Sequence, residues 1–270
     1  MRPNRLSCLL LCVAMSYVTS SPMANAALPD QPLAADTSAA YFRLGMTRGE
    51  AFANVFSKTI SIKGQGFKEF ASRISGSADY TVSDPNPDRP VFDMSYRYDA
   101  FTDGASKVEI RDDGKSVCFD GKCQVDAESS GLAFNPLLWG ELPATLKPNM
   151  SWQVSIKQPW EMGPPGTENV RVVSLDPANH MAILARQGSG SGESDSEDAH
   201  SVHITVGDKT EVATVIPGPS HWTGQTIFQH GIILSDVMLV ERPVTLVSKL
   251  GTFQGIEREY TLLNSMPPSS

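Results

Sequence analysis

Phe92-Asp93-Met94-Ser95-Tyr96-Arg97-Tyr98-Asp99 sets an apolar or aromatic side chain at every second position and a polar one between. That period of two belongs to a strand with one buried and one wetted face, as antiparallel sheets have. Val108 and Ile110 repeat it against Lys107, Glu109 and Arg111. Asp103-Gly104, Asp113-Gly114 and Asp120-Gly121 punctuate the stretch, and Asp-Gly between alternating segments is a strong signal for a two-residue hairpin turn. The stretch from Phe92 to Val125 therefore reads as a meander of consecutive hairpins that needs no crossover helix.

The run Val117-Cys118-Phe119-Asp120-Gly121-Lys122-Cys123 carries the most specific local signal. If Asp120-Gly121 is the turn, Phe119 and Lys122 close it and Cys118 falls opposite Cys123. Directly opposed residues in a non-hydrogen-bonded pair bring their Cα atoms to ~4.5 Å, at the close end of the disulfide range. A Cys118–Cys123 bridge is expected in an oxidising compartment. A redox centre would favour a Cys-x-x-Cys spacing at a helix start, and a zinc site needs two further ligands.

Working outward, Thr47-Arg48-Gly49-Glu50 matches a capping box, and Phe52, Val55 and Phe56 suggest a short helix through about Ser57. Asn135-Pro136 opens a second helical insertion of at most two turns, stopped by Gly140 and Pro143. Trp152, Val154 and Ile156 read as a strand after the Pro148-Asn149 turn. Val170 to Leu175 pairs with Met181 to Arg186, and Ser201 to Val206 with Thr210 to Ile216. The segments Gln225 to Leu234, Val237 to Val247 and Gly255 to Leu263 carry Leu, Ile and Val on both phases, which suggests central, well-covered strands.

Residues 1–26 read as a cleavable export signal: Arg2 and Arg5, an apolar core from Leu6 to Val18, and Ala24-Asn25-Ala26 for the peptidase. The apolar core is well short of the ~20 residues that span a bilayer. Residues 27–40 form a flexible lead-in, 41–266 one β-rich domain with an acidic Gly/Ser loop at 188–199, and 267–270 a tail. Without the leader, Lys+Arg falls from 22 to 20 against 30 Asp+Glu, a net charge of about −10 that repels phosphate backbones and anionic lipid headgroups. Nucleic acid is excluded as partner on that ground, and no later apolar run is long enough for a membrane-spanning helix.

Candidate chemistry is thin. Glu193, Asp195 and Glu197 imitate the opening of a calcium loop, but Asp198 stands where the turn glycine belongs and Ile204 where the closing acid belongs. His200 and His203, three apart on a strand, point to opposite faces, and His180, His221 and His230 are scattered, so no metal site is assigned. Ser220-His221 is adjacency and not a catalytic pair, and Gly64-Gln65-Gly66 lacks the third glycine of a dinucleotide loop. Glu161 with Asp99 or Asp103 would be the acids of a carboxylate-based hydrolase. No catalytic residue and no cofactor is assigned.

The fold expected is mainly β: an antiparallel meander forming a curved sheet or half-open barrel, with one short N-terminal helix and one short helical insertion; a β-sandwich is the alternative. By analogy of shape alone, bacterial envelope carriers of lipids and lipoproteins have that architecture. The function expected is that of an exported, soluble, non-catalytic cell-envelope (periplasmic) protein. It would bind a lipid, another apolar small molecule or an envelope protein on a sheet face, with Phe92, Met94, Tyr96, Val108 and Ile110 as the face and Trp139 and Trp160 near its mouth. A structural or assembly component of the envelope and a carboxylate-based hydrolase are the alternatives. A filled interior favours interaction through the surface, and an open pocket favours a ligand.

Overall fold

The computed structural model describes residues 37–42, 44–86, 89–99, 103–111, 116–125, 143–156, 165–191 and 201–266. A five-residue helix, α1 (Ser38–Phe42), precedes fourteen strands. These are β1 (Ala51–Gly64), β2 (Phe70–Asp84), β3 (Val91–Tyr98), β4 (Gly104–Arg111), β5 (Ser116–Phe119), β6 (Lys122–Val125) and β7 (Ser151–Ile156) in the first half. β8 (Gly166–Asp176), β9 (Met181–Gly190), β10 (Ser201–Val206), β11 (Lys209–Pro217), β12 (Ser220–Gln229), β13 (Ile232–Ser248) and β14 (Gly251–Met266) follow. All belong to one antiparallel sheet, twelve of them in the order β6-β5-β4-β3-β2-β1-β14-β13-β12-β9-β8-β7, with β10 and β11 branching off β13. Its two ends, β6 and β7, do not pair with each other among the described residues, so the sheet is curved and unclosed, as expected, and not a sandwich.

β13 is the branch point. Its first part pairs with β12 as far as His221↔Glu241, and Val244–Val247 pair instead with β11. The β10–β11 hairpin then curls back to the β1–β2 connection, where Lys68 N donates to Thr205 O at 2.7 Å. Ile62, Val202, Ile204, Val215, Val244 and Leu246 fill that end.

Register places one phase of β1, β2, β3 and β4 on a common inner face: Phe52 opposes Tyr80, Tyr80 opposes Met94, and Phe92 opposes Val108. These residues form a cluster on the β1–β4 wing, while Val170, Val172, Leu184, Phe228 and Leu263 form another on the β8–β12 side. Tyr41, Leu44, Gly45 and Met46 bridge the two. Tyr41 is buried in the second cluster, Leu44 and Met46 pack on the first, and backbone bonds from Gly231 N to Tyr41 O and from Gly45 N to His230 O, both 3.0 Å, fix the crossing.

Several local expectations are corrected. Thr47 N does donate to the Glu50 carboxylate, at 2.5 Å, but this contact closes a turn at Gly49 (φ +86°) and not a helix. Gly49 and Val82 then begin the β2 pairing, and Phe52 stacks on Tyr80 with centroids 4.8 Å apart. Burial alternates on Phe52, Asn54 and Phe56, so the cross-strand partner decided a period that Phe52, Val55 and Phe56 left open. The short helix lies earlier, at Ser38–Phe42, which ends the lead-in before Ser38. Gly188–Gly190 belong to β9 and not to the acidic loop, whose residues 192–200 lie outside the described set. Gln225–Leu234 is cut by a two-residue turn at His230-Gly231, both with positive φ. The proposed insertion from Asn135 to Gly140 lies outside the described residues.

The Asp120-Gly121 turn is borne out. Asp120 (φ 49°) and Gly121 (φ 80°) adopt the left-handed conformation that a type I′ hairpin requires, and the register sets Phe119 against Lys122 and Cys118 against Cys123.

Candidate functional site

The inner face carries the residues expected to line a ligand site, and they are packed. Phe92 and Val108 are fully buried, Met94 and Ile110 nearly so, and partly buried Tyr96 packs on the same cluster. Phe52, Tyr80 and Phe92 fill the centre with edge-to-face and stacked contacts of 4.8–6.3 Å, the spacing aromatic rings prefer. Burial pushes the Tyr80 hydroxyl far above its ordinary value, although Asn54 Nδ2 donates to it at 3.4 Å. Trp139, Trp160 and Glu161 lie outside the described residues.

A band of charge crosses the same inner face, and sequence reasoning missed it. Arg186 Nε and Nη2 donate to the Glu168 carboxylate at 3.0 and 3.1 Å, and Nη1 to Asp236 at 3.3 Å. Trp222 Nε1 donates to Glu168 Oε2 at 2.8 Å, and Thr226 to Asp236. Farther along, Arg242 pairs with Glu257 at 2.6 Å and Lys58 with Glu259 at 2.7 Å. Each carboxylate faces a cation, as low-dielectric surroundings require. Burial pulls the Arg186 guanidinium down, but Glu168 and Asp236 more than offset it, so it stays above its ordinary value. Gly188 makes room for the network: a Cβ there would lie 2.2 Å from the Trp222 ring, the close approach that a strand glycine often marks. Trp222 is thus part of the core.

The outer face is different. Across β13, β14 and β1 the register stacks Val237↔Leu262↔Ser57 beside Leu239↔Tyr260↔Thr59, with Val55 diagonal to Leu262. Leu239, Tyr260 and Val55 are 37–43% exposed. Ile256, 44% exposed, lies beyond the exposed Arg258–Glu241 ion pair. The second apolar phase of these central strands is therefore only partly covered by the described residues, which corrects the expectation. Val55 and Leu262 also line an open cleft of about 520 Å³, with Arg73, Arg97, Asp99 and Asp103 around it. Ser75 donates to Asp99 there.

Other candidate groups resolve simply. Ser220 is buried and His221 exposed, so the adjacent pair points to opposite faces; His203 is exposed on β10, and His200 lies outside the described residues. Gly64-Gln65-Gly66 joins two strands. His180 and His230, distant in sequence, come together at the ends of two hairpins. Among the described residues no helix is long and apolar enough to cross a membrane.

No protein-family model and no curated protein matches the chain. Among solved structures it is similar to an outer membrane channel from Pseudomonas putida F1, with 6% identity over 83% of this chain and 98% of that chain and a TM-score of 0.21. A superposition of that quality carries nothing across to this protein.

Proposed function

We propose that this is an exported, non-catalytic cell-envelope protein that binds a protein partner on the outer face of β13, β14 and β1. One observation carries the reading: Val55, Leu239 and Tyr260 stand exposed around Val237 and Leu262 on the central strands of the sheet. Isolated surface apolar residues are ordinary, but a contiguous block is not. Its border has mixed sign, with the Arg258–Glu241 pair on one side and Arg73, Arg97, Asp99 and Asp103 on the other. An apolar centre with a polar rim is the anatomy of a protein interface, whereas an anionic lipid surface would call for a basic excess that a net charge of −8 does not supply.

The test is a photo-crosslinker at position 260 in the native envelope. A discrete adduct is expected, lost in Leu239→Lys and absent when the probe stands at exposed Val212. No adduct, or one indifferent to Leu239→Lys, overturns the reading. A second reading, an apolar ligand on the inner face, draws on Leu44 and Met46: side chains from outside the sheet rest on the Phe92 cluster, where such a ligand would lie. Native mass spectrometry showing a retained lipid would favour it.

A further inference from the structure

We infer that His180 and His230 form a binding site for a divalent transition metal of the Zn²⁺, Ni²⁺ or Cu²⁺ type. Each ends a tight connection: His180 follows the 3-10 turn Pro177–Asn179 between β8 and β9, and His230 opens the turn between β12 and β13. Both have left-handed backbones, φ 46° and 50°. The turns are tied together by His230 N donating to His180 O at 3.3 Å and by Gln229 Nε2 donating to Asn179 O at 3.3 Å. Gly45 closes the other side, since a Cβ there would lie 3.1 Å from His230 Nδ1. The two imidazoles are thus held by backbone on three segments and are not on wandering loops.

Their separation suits one ion. With a metal–nitrogen distance of about 2.05 Å and about 1.15 Å from nitrogen to ring centre, each centroid stands about 3.2 Å from the metal, and a tetrahedral angle sets the centroids about 5.2 Å apart. The observed centroid separation is 5.2 Å, with the planes at 79°. Neither ring makes a side-chain hydrogen bond or ion pair among the described residues, so both keep a nitrogen for coordination. No third His, Cys, Asp or Glu joins them there. Water would fill the remaining positions, and the affinity is that of a two-imidazole site, strongest for Cu²⁺. Edge-to-face packing gives a similar spacing without any metal, and that is the alternative the test must separate.

The full mature chain, stripped with chelator, is titrated with Zn²⁺ while the imidazole nitrogens are followed by long-range ¹H–¹⁵N NMR. His180 and His230 are expected to shift together and saturate at one equivalent. His180→Asn and His230→Asn, chosen because asparagine tolerates the left-handed conformation, should each weaken binding by at least about tenfold, since even partners behind a ligand are worth roughly that much. His221→Asn should change nothing. The thermal midpoint should rise with Zn²⁺ in the unsubstituted chain and not in the two variants. Ring signals unmoved at millimolar Zn²⁺, or equal affinity in all three variants, overturns the proposal. The NMR result on the unsubstituted chain decides even if a variant fails to fold.

Discussion

Glu168→Ala tests what the buried charge on the inner face does. Glu168 and Arg186 side chains are both fully buried and share two hydrogen bonds, and the same carboxylate is the acceptor of the Trp222 N–H. Removing it takes away the bidentate partner of Arg186, while Asp236 stays at 3.3 Å. Breaking a buried pair from one side costs about 3–5 kcal/mol, and an orphaned buried N–H about 1–3 kcal/mol. Asp236 retains part of the first term, so the loss should be about 4–6 kcal/mol, a fall of about 10–20 °C in Tm for a chain of this size. Thermal unfolding followed by far-UV circular dichroism reads the midpoint, and denaturant titration gives the free energy. Glu168→Gln with Arg186→Met and Asp236→Asn should cost far less, because replacing buried charges together by uncharged groups is often near neutral. A loss under about 1 kcal/mol for Glu168→Ala, or an equal loss for the triple variant, would refute the reasoning that an uncompensated guanidinium dominates.

The Asp120 carboxyl at the β5–β6 turn is held below its ordinary value of 3.8 by Lys107 N at 2.8 Å and Ser106 Oγ at 2.9 Å. A carboxylate lowered in the folded state adds stability that is full above its unfolded value and is lost as pH falls through the folded one. The β4–β5 contact should therefore loosen below pH ~4, and ¹³C titration of Asp120 should show the lowered midpoint; an ordinary midpoint would remove the effect. The exported protein is expected to carry the Cys118–Cys123 bridge: its intact mass should correspond to loss of residues 1–26 and two hydrogens. Two free thiols would rule out the bridge.

Legibility tracked how local the deciding contact was. The Asp120-Gly121 turn, the pairing of Ser201–Val206 with Thr210–Ile216 and the alternation at Phe92–Tyr98 are readable because turn chemistry and period two act within a few residues. β1 was misread because Phe52, Val55 and Phe56 satisfy a helical stripe, and only Tyr80, on another strand, selects the extended form. His230-Gly231 was missed although it has a turn composition, since apolar residues on both sides made one continuous run. The meeting of His180 with His230 depends on β9 pairing with β12, a long-range choice that no local pattern states.

The inner charge band was legible in one respect and not in another. Glu168 is in phase with Val170 and Val172, Arg186 with Ala182 and Leu184, and Asp236 and Arg242 with Met238, Val240 and Leu246. A charge in the apolar phase of a strand must face inward, and an inward charge must find a partner. The sequence therefore announces that buried ion pairs exist. It does not say that Glu168 serves Arg186, because that assignment follows from β8, β9, β12 and β13 lying side by side. The outer block makes the complementary point. Leu and Val on the second phase of β13 and β14 read equally well as a covered strand or as an exposed binding face, since more than half of any folded surface is apolar. Only the neighbours separate the two, and here the described neighbours leave Leu239 and Tyr260 open.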